Sequence, residues 1–111
     1  MYPFQRQEER YKPKPAEPVF VDLVGEGFYD RCKVRDISLN GISIFVRHDF
    51  QGINLDLDVD IHITLPTKLI VKAVGKIRHQ GLGTDHYYGI HLIQIDTQLK
   101  HALEDYVNSL K

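Results

Sequence analysis

Two short segments carry the residue types from which a binding site can be built. Asp36-Ile37-Ser38-Leu39-Asn40-Gly41 offers a carboxylate, a hydroxyl, a side-chain amide and a glycine at one turn between apolar stretches. Upstream, Arg6-Gln7-Glu8-Glu9-Arg10-Tyr11-Lys12-Pro13-Lys14 carries four cations on a segment whose flanking prolines oppose a long helix or a central strand. A carboxylate accepts hydrogen bonds from donor edges, while guanidinium and ammonium groups meet anions. Together the segments suit a small anion with donor edges, gripped between them. Taken singly, each has a plainer reading. The turn serves as an Asx turn in which Asp36 caps its own backbone, and the basic segment serves as a solvated tail.

Composition limits what these segments can do. At 111 residues the chain is one domain, large enough for a real core. Hydrophobic residues make up 42% and charged residues 26%, as in ordinary globular proteins. The net charge of −1, from 14 basic and 15 acidic residues, leaves no global field for a polyanion such as DNA. The imbalance is local, +2 over residues 5–15. No apolar run approaches the roughly 18 residues of a membrane span, and no signal-peptide core is present at the start, so a cytoplasmic location and no membrane insertion are expected. One cysteine, Cys32, forms no internal disulfide and fits that compartment.

Other constellations carry less. Asp56, Asp58 and Asp60 imitate the start of a calcium loop, but Ile61 stands where that loop needs glycine and Thr67 where it needs glutamate. They read as the wet face of a strand. His48, His62, His79, His86, His91 and His101 lack paired ligand spacing, so no metal site is expected. No nucleophile elbow or phosphate-cradling glycine loop occurs, and the chain is not expected to be an enzyme.

From Val19 onward, short apolar runs cut by turn signals predict an all-β protein, a six-stranded antiparallel barrel closed by a C-terminal helix. Val19, Val21 and Leu23 alternate before Gly25-Glu26-Gly27, and a second strand runs from Phe28 to Arg35. Ile42, Ile44 and Val46 mark a third. Leu55 to Leu65 shows the clearest period of two, and Leu69 to His79 forms a fifth strand in which Gly75 signals a bulge or a close backbone approach. Tyr87 to Ile95 is the sixth. Asp96 or Thr97 then caps a helix over residues 97–110, with Leu99, Ala102, Leu103, Tyr106, Val107 and Leu110 on one stripe. The expected organisation is a flexible basic leader, residues 1–15, before a single barrel domain, residues 16–111.

In this order and spacing the chain resembles the PilZ domain, a bacterial receptor module for cyclic di-GMP. The resemblance rests on the basic leader, the strand pattern, Asp36-x-Ser38-x-x-Gly41, Gly75-Lys76-Ile77-Arg78 and Tyr88-Gly89-Ile90-His91-Leu92. It implies the family's split barrel and a leader with two arginines separated by three residues. Arg6 and Arg10 match that pair literally, with Arg10 lying 26 residues before Asp36. A second register, Arg10 and Lys14, shortens the distance to 22 but puts lysine in place of arginine.

The resemblance also assigns roles. Guanine presents O6 and N7 on one edge, which a guanidinium fork meets with two hydrogen bonds and an ammonium meets with a point charge. Arg6 and Arg10 are then expected to read guanine and Lys14 to add phosphate charge. Asp36 accepts from guanine N1 and N2, Ser38 serves a phosphate or a base, and Asn40 and Gly41 permit positive φ and close approach. Arg78, on the fifth strand, is a candidate for stacking on a base; an exposed strand residue is its other reading. No cofactor is implied beyond this ligand. On this reading the protein is a receptor whose ligand orders the arginine segment and which signals to a separate downstream protein, because no output module is attached. The alternatives are a degenerate interaction adaptor that does not bind the nucleotide, and a single-stranded nucleic acid binder.

Overall fold

The computed structural model describes residues 9–25, 28–46, 58–81 and 87–111. Arg6, the Glu26-Gly27 turn, His48, Leu55, Asp56, Leu57, His86 and the turn at 82–85 lie outside the described residues. The elements in chain order are β1 (Phe20–Gly25), β2 (Phe28–Ile37), β3 (Gly41–Phe45), β4 (Asp58–Thr64), β5 (Ile70–Gly81), β6 (Tyr87–Ile95) and α1 (Thr97–Ser109). This is the expected six-stranded antiparallel barrel with one C-terminal helix.

Period-two patterning builds the barrel wall. Val21 and Leu23 of β1, Val59, Ile61 and Ile63 of β4, and Tyr88, Ile90 and Leu92 of β6 all face the buried interior. Their alternates face out, among them Asp58, which pairs with Lys76 at 3.2 Å across β4 and β5. The strands close in the order β1-β2-β3-β6-β5-β4. The β1–β4 pairing, from Phe20 opposite Thr64 to Val24 opposite Asp60, completes the ring and leaves no open sheet edge.

Gly75 fulfils both of its expected meanings. The β5–β6 register slips beside it, and a Cβ there would collide with Cγ2 of Ile90. At the β4–β5 connection Pro66 and Thr67 end the alternation, and Lys68 takes φ 79° so that its N–H reaches the carbonyl of Leu65. Lysine rarely adopts this conformation.

The helix begins where Asp96 Oδ1 accepts from the Gln98 N–H at 2.9 Å, an N-cap that satisfies one of the open amides of the first turn. It packs against β5 and buries Leu103 and Val107, with Leu99, Ala102, Tyr106 and Leu110 half-buried beside them. No helix among the described residues is long and apolar enough to cross a membrane. The Tyr106 hydroxyl is buried with no hydrogen-bond partner among the described residues. Desolvation pushes its pKa up, and the Glu17 carboxylate adds to the rise.

The helix contacts predict a contrast between two truncations. Leu103→Ala leaves a cavity and should lower stability by about 2 to 5 kcal/mol. Tyr106→Phe removes an unpartnered hydroxyl and should leave stability unchanged or raise it by up to about 1 kcal/mol. Urea unfolding of both proteins checks this; a loss for Tyr106→Phe comparable to that for Leu103→Ala would contradict it.

Candidate functional site

An irregularity in β2 builds the corner. Val34 pairs with Ile44 and Asp36 with Ser43, so two steps along β2 match one along β3 and Arg35 is the extra residue of a bulge. Val34 and Ile37 both face the core, which leaves Arg35 and Asp36 together on the outer surface. Ser43 lies on the same outer side of β3, between the inward-facing Ile42 and Ile44. It is small, and longer side chains cover it.

The turn after β2 is closed by Ser38 and Gly41. The Ser38 N–H donates to the Gly41 carbonyl at 2.8 Å. The Gly41 N–H donates to Ser38 Oγ at 3.1 Å, and that hydroxyl also lies 3.2 Å from the Gly41 carbonyl oxygen, to which it donates. Ser38 is 1% exposed, so its hydroxyl sits beneath the surface and holds the turn. Asn40 is exposed at the tip, and its carbonyl accepts from the Leu92 N–H at 2.9 Å, which ties the turn to β6.

The arm reaches this corner through backbone. The Tyr11 N–H donates to the Ile37 carbonyl at 3.0 Å, and the Ile37 N–H donates to the Tyr11 carbonyl at 2.9 Å, an antiparallel bridge. The Tyr11 ring packs against the core, and its hydroxyl donates to Glu9 at 3.1 Å. Desolvation, then the Glu9 hydrogen bond and charge, raise the Tyr11 pKa. The bridge puts Arg10 directly at the corner. Its Nη1 lies 3.0 Å from Asp36 Oδ1 and makes a longer contact of 3.4 Å with Ser43 Oγ.

Gly41 lies underneath Arg10. A Cβ on Gly41 would stand 2.9 Å from Arg10 Nη2, tighter than real contacts allow. Neither Gly41 nor Asn40 adopts positive φ, contrary to expectation. What the position demands is room for a guanidinium.

The second cation at the corner is Arg35. Its guanidinium carbon sits 4.1 Å from the centroid of the Tyr87 ring, having crossed the outer face of β3, and Nη1 lies 3.7 Å from Asp36 Oδ2. Asp36 is therefore flanked by two guanidinium groups. Its side chain is 15% exposed against 42% for Arg10 and 35% for Arg35. A half-exposed pair such as Arg10–Asp36 contributes less than about 1 kcal/mol to stability.

The structure thus brings Arg10, Asp36, Ser38 and Gly41 together. Lys14 is exposed in a turn closed by the Glu17 N–H on its carbonyl at 2.8 Å, and it makes no ion pair with Asp36. Arg78 is exposed on β5 at a second register slip, where Ile77 pairs with Ile90 and His79 with Gly89. Gly89 pairs with Ser43, so Arg78 lies beside the same cross-strand row as Asp36 but strands away from it. Sequence reasoning missed Tyr11, Arg35, Ser43 and Tyr87. Strand parity places Ser43 on the outer face, and a lone aromatic between Arg10 and Lys12 marks Tyr11. Nothing in the local pattern announces Arg35 on Tyr87, because a bulge breaks that parity.

A match to the PilZ domain family covers residues 4–109. An uncharacterized protein of Aquifex aeolicus (strain VF5) is 24% identical over 110 residues, an alignment covering 91% of this chain and 46% of that protein. The chain therefore spans less than half of that relative's length. Among solved structures, the inhibitor of motility MotI/DgrA of Bacillus subtilis superposes with a TM-score of 0.78 at 16% identity, over 96% of this chain and 50% of the other. The PilZ domain of YcgR from Escherichia coli with c-di-GMP gives 0.76 at 11% identity, over 96% and 92%. At these identities the likeness establishes the fold.

The geometry of the turn makes Ser38 a structural residue with a measurable cost of removal. Ser38→Ala strands the Gly41 N–H and should lower stability by about 1 to 3 kcal/mol in urea unfolding. Ser38→Thr keeps the hydroxyl, and a loss equal to that of alanine would mean the turn bonds are not what the serine supplies.

Proposed function

The chain belongs to the PilZ domain family, and from that premise we propose that it is a receptor for cyclic di-GMP that transmits ligand binding to a protein partner without catalysing a reaction. The observation that carries this reading is the 3.0 Å contact between Arg10 Nη1 and Asp36 Oδ1, which joins the basic arm to the carboxylate corner. The E. coli neighbour, whose structure holds c-di-GMP, supports it.

The arrangement suits the two edges of guanine. Arg10 uses only Nη1 in hydrogen bonds among the described residues, so its Nε and Nη2 edge remains available for O6 and N7. Each Asp36 oxygen keeps lone pairs beyond the arginines, and these accept from guanine N1 and N2. Arg6 supplies the second planar fork of the arm, Lys14 adds charge toward phosphate, and Arg78 flanks a base from β5. Ser38, Asn40 and Gly41 shape the turn that lets the ligand approach. Ligand then fixes the segment before Tyr11 on the barrel and presents a surface that the free protein lacks, the kind of change a ligand can drive only through contacts made in one state. A protein acting in the cytoplasm fits this role. The ligand is small, which matches a chain with net charge −1 better than a polyanion would.

Isothermal titration with cyclic di-GMP tests the reading. Wild type should bind, and Arg10→Ala and Asp36→Ala should each weaken binding by about tenfold to a hundredfold, the worth of one bidentate contact. Arg10→Lys keeps charge without the fork and should fall between. Gly41→Ala, which pushes Arg10 off its seat, should weaken binding while leaving the circular dichroism spectrum unchanged. No heat with wild type would move the protein to the class of interaction adaptors.

A further inference from the structure

The Arg35 and Tyr87 pair is the strongest feature of the outer surface to which the receptor reading gives no role. The Arg35 guanidinium lies on the Tyr87 ring at 4.1 Å and keeps 35% of its side chain exposed. It makes no hydrogen bond among the described residues, since its approach to Asp36 Oδ2, at 3.7 Å, is a charge contact only. Among the described residues its N–H donors are unused in hydrogen bonds, and a third of the side chain is exposed. Elsewhere on the barrel a comparable stack looks different. Arg31 lies 5.0 Å from the Phe20 ring but is held at 3.1 and 3.2 Å by both oxygens of Asp22. Arg31 is hydrogen-bonded by its neighbour Asp22, whereas Arg35 is held by the Tyr87 ring and the longer charge contact with Asp36.

Position makes this more than a spare cation. The bulge sets Arg35 next to Asp36, and Ser43 between them and β6 is too small to stand in the way. Two guanidinium groups flank one carboxylate, so the corner carries a local excess of one positive charge in a chain whose total is −1. A guanidinium over an aromatic ring is restricted in its motion, and the side away from that ring is a platform for a second planar ring. Phe45, which pairs with Tyr87 across β3 and β6 and is 37% exposed, extends the apolar rim.

We infer that Arg35, held on Tyr87, is a further ligand-binding residue whose outward face stacks on a purine of the bound dinucleotide. The inference rests on the receptor reading and deepens it: Arg10 and Asp36 read purine edges, and Arg35 grips a purine face. Stacking tolerates any base, so this shelf adds affinity where the edge contacts add selectivity.

The test titrates cyclic di-GMP into wild type, Arg35→Lys, Tyr87→Leu and, as a control, Arg31→Lys, with thermal unfolding of each to confirm folding. Arg35→Lys keeps the charge and loses the plane, and it should bind about tenfold more weakly; Tyr87→Leu removes the support and should do the same. Arg31→Lys should bind as wild type does. In wild type the Arg35 Nε–Hε resonance should move upfield on saturation, as a ring stacked on it requires. A loss under threefold for Arg35→Lys, or an unmoved Hε resonance, overturns the inference while binding that depends on Arg10 leaves the receptor reading intact. Should Tyr87→Leu fail to fold, Arg35→Lys and the resonance decide alone. Absence of any binding by wild type overturns both.

Discussion

Two backbone hydrogen bonds between Tyr11 and Ile37 decide where Arg10 can reach. The Arg10–Asp36 contact cannot do this unaided, because a pair with one partner 42% exposed is worth too little to hold a chain segment in place. The bridge and the packed Tyr11 ring do the holding, and the guanidinium inherits its position from them. A side chain placed in this way loses less freedom when a ligand arrives than one recruited from a free tail, which is the physical content of preorganisation. Half of the corner is set in this way.

The other half comes from the bulge. Strict alternation along β2 from the inward Val34 would send Asp36 toward the core and Ile37 into water. A buried unpaired carboxylate costs several kcal/mol, and an exposed isoleucine forfeits its burial. One extra residue resolves both, turning Ile37 inward and stacking two charged side chains on the outside. The surface they cross is paved with small residues, Gly41 and Ser43 on β3 and Gly89 on β6. Arg10 passes over Gly41 and reaches Ser43, and Arg35 crosses the same strand to the Tyr87 ring. At Gly41 the backbone conformation does not call for glycine, but a Cβ would press on the Arg10 guanidinium that lies above it.

Much of the fold was legible in the residues. The alternation of Tyr87 to Ile95 gave β6 with its observed ends, the Gly75 signal was a bulge and a close approach, and Asp96 proved to be the helix cap. Strand ends were less legible. β5 runs on to Gly81, because pairing with β6 continues past the last residue of the apolar pattern. The site was legible in part for the same reason. Residue types and spacing pointed to Arg10, Asp36 and Ser38, but the role of Ser38 as a buried turn closure depends on which way its hydroxyl points. The union of Arg35 with Tyr87 spans three strands and a break in parity, and no local pattern encodes it.

The weakness of the Arg10–Asp36 pair has a functional side. A contact contributing under about 1 kcal/mol can be exchanged for a ligand contact without endangering the barrel, whose stability rests on the closed ring of strands and its aliphatic interior. The interactions that hold the site in place are backbone hydrogen bonds and packed rings, while those offered outward are half-exposed guanidinium groups and a carboxylate. A ligand replacing water around those groups meets charges already oriented, and little of the protein must move for the first contact.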